Sequence, residues 1–134
     1  MRITKDNINE FINKTRMYCN KMDITYIEYI PESITHLYCY NNKLTELPKL
    51  PDGLKSLNCS NNQLTSLPKL PNGLISLYCN NNKLTSLPKL PDLLISLLCY
   101  NNNLPYPIQT KEEMKKHNKL IKRKEILEKI RFIH

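Results

Sequence analysis

The sequence predicts an α/β solenoid built from stacked twenty-residue coils, because three features of its repeats point to that fold. Four blocks, which begin at Ile34, Leu54, Leu74 and Leu94, align without gaps, and a degenerate copy begins at Lys14. Each block opens with alternating apolar and polar residues, and prolines follow in its second half. A unit this short can bury its apolar face only against neighbouring copies. We therefore expect five coils, numbered one to five in chain order, over residues 14–110.

Residues 1–13 are predicted to cap the N-terminal end of the solenoid, where apolar surface would otherwise be exposed. Thr4 is a suitable N-cap residue, and the apolar residues after it fall on one helical face. Ile3 and Ile8 stand at the spacing of a hydrophobic staple. We therefore expect a helix over about residues 5–14.

The first half of each coil is predicted to form a short β-strand. In coil four, Leu77 and Cys79 alternate with Ser76 and Tyr78, which is typical of a strand with one buried face. Parallel strands from successive coils would form a single sheet on the concave side of the solenoid. The outward side chains of this sheet would then cover the concave face.

One cysteine in each coil shares the inward parity of the leucines, and the set comprises Cys19, Cys39, Cys59, Cys79 and Cys99. Equally spaced thiols could be metal ligands, disulfide partners, redox groups or core residues. Neighbouring strands lie about 4.8 Å apart, whereas the Cβ atoms of a disulfide lie about 3.8 Å apart. A straight column also does not converge on a tetrahedral metal. We expect buried cysteines that act as small hydrophobes, with no metal and no cofactor.

An asparagine occupies the ninth position of four coils, as Asn42, Asn62, Asn82 and Asn102. In a tight turn, this amide can hydrogen-bond to backbone groups above and below it, so a structural asparagine ladder is expected. The prolines that follow stand three residues apart, which matches the turn of polyproline II. We expect an extended return segment on the convex side, with Leu64, Leu67 and Leu70 facing inwards.

Residues 111–134 form a basic segment, with nine Lys or Arg against four Glu. Thr110 is a suitable N-cap residue, and the early glutamates suit the positive end of a helix. An apolar stripe comprises Leu120, Ile126, Leu127, Ile130 and Ile133, although basic residues interrupt the same arc in the first half. We expect a basic C-terminal helix that either caps the solenoid in part or packs against another molecule.

The repeat motif, L-x-x-L-x-C-x-x-N-x-L, resembles that of the leucine-rich-repeat family, whose sixth position is commonly leucine, and the match covers residues 14–110. The twenty-residue period with L-P-x-L-P is similar to the short repeats of enterobacterial secreted effectors. The recurrent cysteine and the Asn, Lys and Ile content resemble leucine-rich-repeat proteins of giant amoeba-infecting viruses. The resemblance implies short parallel strands on the concave face, an extended convex side, helical caps at both ends and a role in binding proteins.

The outward strand positions are the predicted binding site for a partner protein. The residues we select at the fifth and seventh positions of the coils are Tyr18, Tyr38, Tyr40, Asn58, Tyr78, Leu98 and Tyr100. Tyrosine offers a large contact area at low entropic cost, although it also favours strands for purely structural reasons. Together with the family resemblance, this pattern predicts a protein–protein interaction module that acts between a virus or an effector and its host.

Two other roles are compatible with the sequence. The basic tail could bind nucleic acid or another polyanion, but it lacks arginine clusters, interleaved aromatics and known nucleic-acid motifs, which argues against nucleic acid. Ile75 and Ile95 could instead mediate self-association, although a monomer is favoured. No enzymatic activity is expected, because the three histidines are scattered along the chain and no glycine-rich loop is present.

The composition also bears on location. The chain carries a net charge of +8, and most of this excess lies in the tail. No stretch has the length and hydropathy of a signal peptide or of a membrane span. We therefore expect a cytoplasmic protein, located in the host cytoplasm if it is viral or an effector, whose cysteines stay reduced.

Overall fold

Each of the five coils contributes one three-residue strand to a parallel sheet. The computed structural model describes residues 1–133, with side chains up to Phe132, so Ile133 of the predicted stripe and His134 lie outside the described side chains. The strands are β1 (Arg2–Ile3), β2 (Ile12–Asn13), β3 (Arg16–Tyr18), β4 (Tyr26–Ile27), β5 (His36–Tyr38), β6 (Ser56–Asn58), β7 (Ser76–Tyr78) and β8 (Ser96–Leu98). One 3₁₀ turn (Ile8–Phe11) and one α-helix, α1 (Lys111–Ile133), complete the chain.

The register of the sheet reproduces the sequence period. The strand order is β2-β3-β5-β6-β7-β8, and every pair from β3 onwards is parallel. Leu57 lies opposite Leu77, twenty residues further along the chain, and equivalent positions pair in the same way across the other coils. The predicted α/β solenoid with parallel strands is therefore confirmed.

The inward side chains of successive coils build one continuous core. Leu57 and Leu77 are fully buried on the strands, and so are the thiols of the first four coils. On the return segments, Leu64, Leu67 and Leu70 are also buried. The return segments of coils two to four contain neither helix nor strand, whereas that of coil one contains β4. Each of these four segments ends in a turn in which a leucine or isoleucine N–H donates to the proline carbonyl three residues earlier. Proline suits this position because it has no N–H to leave unsatisfied.

An asparagine ladder holds the coils together beside the sheet. Asn62 is buried, and its Nδ2 donates to the carbonyls of Cys39 in the preceding coil and of Cys59 and Ser60 in its own coil, at 3.0–3.2 Å. Its Oδ1 accepts from the backbone N–H of Leu44 at 3.0 Å. The ladder asparagines on either side make equivalent bonds. One side chain thus satisfies backbone groups from two coils.

The residue before each ladder asparagine has a left-handed backbone. Asn41, Asn61, Asn81 and Asn101 have φ between 54° and 57°. Asparagine tolerates this conformation better than other residues that carry a Cβ. The recurring Asn-Asn pair therefore has two distinct roles, since the first residue makes the turn and the second makes the ladder. Coil one has Lys21, with φ 57°, at the turn position and Met22 in place of the ladder residue.

The N-terminal end is capped differently from the sequence prediction. The helix expected over residues 5–14 is wrong, because only Ile8–Phe11 are helical, as a 3₁₀ turn. The chain then enters β2, which pairs with β3 in the antiparallel sense, while β1 pairs with β4. Asn7 explains the difference, because its side chain accepts from the Thr4 N–H and donates to the Arg2 carbonyl, which favours a turn over a helix start. Ile3 and Ile8 are nonetheless buried at this end.

Helix α1 begins with a capping box. The Glu113 N–H donates to Thr110 Oγ1 at 3.1 Å, and Glu113 Oε1 accepts from the Thr110 N–H at 3.1 Å. Two further residues anchor the helix to coil four. His117 is 1% exposed, and its Nε2 donates to the Pro88 carbonyl at 2.9 Å while Nδ1 bonds to the Tyr106 hydroxyl at 2.7 Å.

Asn118 is the second anchor, because its side-chain amide pairs with both backbone groups of Leu90. Its Nδ2 donates to the Leu90 carbonyl and its Oδ1 accepts from the Leu90 N–H, each at 2.8 Å. Beyond Lys122 the described side chains of the helix are exposed, including Ile126 and Leu127 of the predicted stripe. The helix therefore packs against the solenoid only through its first half. Among the described residues, no helix is long and apolar enough to cross a membrane.

Substituting Asn118 with alanine is expected to loosen α1. Leu90 is 1% exposed, so the loss of its partner leaves two buried backbone groups unsatisfied, at a cost of about 2 kcal/mol. Thermal unfolding and hydrogen exchange of residues 111–132 would measure the effect. The neighbouring exposed Lys119, changed to alanine, is the matched control. Equal protection of the helix in both variants would contradict the anchoring role of Asn118.

Candidate protein-binding face

The parallel register brings the predicted binding residues together on one surface. The fifth positions form one row across the sheet, in the order Tyr18, Tyr38, Asn58, Tyr78 and Leu98. The seventh positions follow the strands, and there Tyr40 is half-buried and Tyr100 is half-exposed. We define the concave face as the third, fifth and seventh positions of the five coils. No predicted residue of this set points into the core.

The N-terminal part of the concave face is an aromatic cluster. The rings of Tyr18 and Tyr38 stack with centroids 5.2 Å apart and planes within 12°. His36 stacks on Tyr38 from the same strand at 6.4 Å, and the Arg16 guanidinium donates to the Tyr38 hydroxyl at 3.4 Å. Burial and the neighbouring Arg16 charge lower the pKa of His36. The ring is thus biased towards its neutral form, which leaves Arg16 as the fixed charge of this cluster.

The middle of the concave face is flatter and polar. Asn58 Oδ1 accepts from the backbone N–H and the hydroxyl of Ser60, at 3.2 and 2.7 Å. Ser60 and Asn80 are both 7% exposed, so they form the floor of the face. Tyr78 stands beside this polar floor with no ring partner from coil three, because Asn58 occupies the equivalent position there. A ligand could therefore contact the Tyr78 ring directly.

The C-terminal part of the concave face is apolar, and it is bordered by residues outside the predicted binding set. Ile95 is 72% exposed and Leu98 is 41% exposed, and a shallow depression beside them is bounded by Lys111 and Met114 of α1. The approach of the helix start to the sheet depends on the anchors at His117 and Asn118. No sequence pattern marked those two residues as contacts, so the participation of Met114 could not have been predicted.

The cysteines do not belong to this surface. All five are free and buried, on the opposite side of the sheet from the tyrosines. Burial raises the pKa of Cys19 and Cys59 to about 12, and burial together with neighbouring thiols raises that of Cys39 and Cys79. Such thiols are protonated at neutral pH and are poor nucleophiles. In the described part of the chain, no group of three or more metal-binding side chains comes together.

Comparisons with known proteins agree with this architecture. A family model described as leucine-rich repeats in two copies matches residues 32–72 and, one coil further on, residues 52–92. Among solved structures, the chain is similar to a Shigella effector LRR domain, with 32% identical residues and a TM-score of 0.68. The likeness covers 81% of this chain and 49% of the Shigella chain, so this chain spans about half the length of that one. No curated protein sequence matches significantly.

The repeat motif, the parallel register and these similarities agree with one another. The twenty-residue coil with its buried leucines, ladder asparagine and proline-rich return is present from coil two to coil four. The chain is a leucine-rich-repeat protein of the effector-like type.

Proposed function

We propose that this protein is a protein-interaction module that binds a partner protein through the concave face, in the cytoplasm of a host cell. The observation that carries the proposal is the single row of outward side chains, in which three of five positions are tyrosine. Tyrosine and asparagine suit such a role because they combine contact area with adaptable hydrogen bonding. Leucine-rich-repeat domains are in general non-enzymatic interaction modules, so we propose no catalytic activity.

The competing explanation is that the tyrosines only stabilise the sheet. Tyr18 is 42% exposed and Tyr100 is 50% exposed, so each leaves much of its surface available to solvent. Packing alone does not require tyrosine, since Asn58 and Leu98 occupy the same row. The variation along this row, beside nearly invariant inward leucines, is what a recognition surface would show.

Site-specific crosslinking would test the proposal. A photoreactive phenylalanine analogue placed at Tyr78 should capture a specific protein in a lysate of host cells. The same analogue at Tyr29, an exposed tyrosine on the convex side, is the matched control and should not capture that protein. If both positions yield the same products, or neither yields any, the concave face is not the binding site.

Light scattering of the free protein should give a monomer.

A second candidate function uses the exposed half of α1. The described side chains after Ile121 are all exposed and include Lys122, Arg123, Lys124, Lys129 and Arg131. This charge could bind a polyanion, with an affinity that falls steeply as salt rises. Binding of a fluorescent oligonucleotide at several salt concentrations, with and without residues 122–134, would test it. A complex that survives this truncation would exclude the helix as the site.

A further inference from the structure

We propose that the segment recognised by the concave face is an acidic peptide in an extended conformation. The inference rests on the proposed function and concerns the chemistry of the partner. It follows from the way in which charge is divided between the two sides of the solenoid.

The concave face contains no carboxylate. Its fifteen positions are occupied by Arg16, Tyr18, Asn20, His36, Tyr38, Tyr40, Ser56, Asn58, Ser60, Ser76, Tyr78, Asn80, Ser96, Leu98 and Tyr100. Arginine, tyrosine, serine and asparagine side chains all supply hydrogen-bond donors, which a carboxylate needs as partners. This surface therefore offers many hydrogen-bond donors to a carboxylate and no negatively charged side chain that would repel it.

Four of the fifteen positions that border the concave face are lysines. These rim positions, the second, eighth and tenth of each coil, include Lys21, Lys43, Lys55 and Lys83, all of them exposed. The one rim carboxylate, Asp23, lies 3.6 Å from Lys43 Nζ and is partly compensated by it. Together with Arg16, the concave side carries five cations against a single paired carboxylate.

The other carboxylates of the five coils lie in the return segments. The acidic residues in the second half of the coils are Glu28, Glu32, Glu46, Asp52 and Asp92. The three lysines there, Lys49, Lys69 and Lys89, only partly offset them. Within the coils alone, five carboxylates against three lysines give the return half a net charge of −2, whereas the concave half is positive. This difference favours an acidic ligand on the concave face. The basic helix α1, which docks on the return segment of coil four, lies outside this comparison.

The geometry favours a peptide over a nucleic acid. Single-stranded nucleic acids bind by stacking successive bases on a series of free aromatic faces. Tyr18 and Tyr38 stack on each other at 5.2 Å, and Tyr78 stands alone between Asn58 and Leu98, so its row offers no such series. Arg16 is the single arginine of the concave face, so this surface lacks the cluster of basic side chains that is typical of nucleic-acid binding. From β3 to β8 the sheet spans roughly 20 Å at about 4.8 Å per strand, which matches about six residues of extended peptide at about 3.3 Å each.

The test is a selection from a random twelve-residue peptide library displayed on phage. The sequences enriched on the full chain should be rich in Asp and Glu. For one enriched peptide, a synthetic copy with every Asp and Glu changed to Asn or Gln should bind at least tenfold more weakly. The triple variant Arg16→Gln, Lys43→Gln, Lys83→Gln should also bind about tenfold more weakly, since three exposed charges each contribute modestly.

The convex side offers a control with the same change in net charge. The triple variant Lys49→Gln, Lys69→Gln, Lys89→Gln should bind within about twofold of the parent. A threefold or smaller difference between the two triple variants would overturn the inference. Selected peptides that are neutral or basic, yet need Tyr38 and Tyr78, would overturn it while leaving the proposed function intact. If no selected peptide needs those tyrosines, both the inference and the proposed function would fail. Both would also fail if a single-stranded oligonucleotide alone binds to the concave face.

Discussion

Substituting Asn62 with alanine is expected to destabilise the protein by about 3 kcal/mol. The side chain makes four hydrogen bonds to backbone groups of coils two and three, and it is 8% exposed. Alanine would leave the buried Leu44 N–H without its partner, and the Cys39 and Cys59 carbonyls would each keep only the bond from a neighbouring ladder asparagine. One unsatisfied buried N–H costs about 1–3 kcal/mol, and each further hydrogen bond lost adds on the order of 1 kcal/mol before local relaxation, so the expected total is large for a single substitution. Urea unfolding would measure it.

The adjacent residue provides the control. Asn61 is exposed and serves only the left-handed turn, at φ 54°. Its replacement by alanine is expected to cost about 1 kcal/mol, from the backbone alone. If the two variants unfold at the same urea concentration, the ladder is not a major source of stability.

Raising the pH from 9 to 10 is expected to destabilise the protein by on the order of 4 kcal/mol through its four most buried thiols. Burial raises the pKa of Cys19 and Cys59 to about 12, and it also raises the pKa of Cys39 and Cys79. The unfolded chain ionises its thiols near pH 9, so above that pH it binds fewer protons than the folded chain. The stability is therefore fully present below pH 9 and is lost as the pH rises towards the folded pKa.

A single cysteine variant separates this effect from the titration of tyrosines and lysines. Cys59→Ala is expected to cost on the order of 1–2 kcal/mol at pH 7, because it removes a small buried group. Its unfolding free energy should then fall less steeply with pH than that of the parent, by the share of one thiol. Parallel pH profiles for the two proteins would show that the thiol is not shielded in the folded state.

Much of the fold could be predicted because the repeat multiplies weak signals. The alternation of Leu77 and Cys79 with Tyr78 is short in one coil, but five copies define one register and one buried face. The N-terminal cap has a single copy, and there the local hydrogen bonds of Asn7 override the helical spacing of Ile8 and the residues after it. Contacts made once in the molecule are those that the sequence pattern did not define.

The candidate site could likewise be predicted only in part. The row of outward residues at the fifth positions follows from strand parity, and the structure places Tyr38 and Tyr78 on one side of the sheet. The contribution of Met114 depends on where α1 docks, and that depends on His117 and Asn118 bonding to the backbone of the return segment. Side chain–backbone anchors of this kind leave no periodic trace in a sequence.

The central claim is that the concave face binds a partner protein, and one affinity measurement tests it most directly. Calorimetry with the protein captured at Tyr78 should show at least a hundredfold loss of affinity for the Tyr38→Ala, Tyr78→Ala double variant, since central interface tyrosines often contribute about 2 kcal/mol each. The convex variant Tyr29→Ala should bind like the parent, and both variants should remain folded by circular dichroism. Unchanged affinity of the folded double variant would contradict the account.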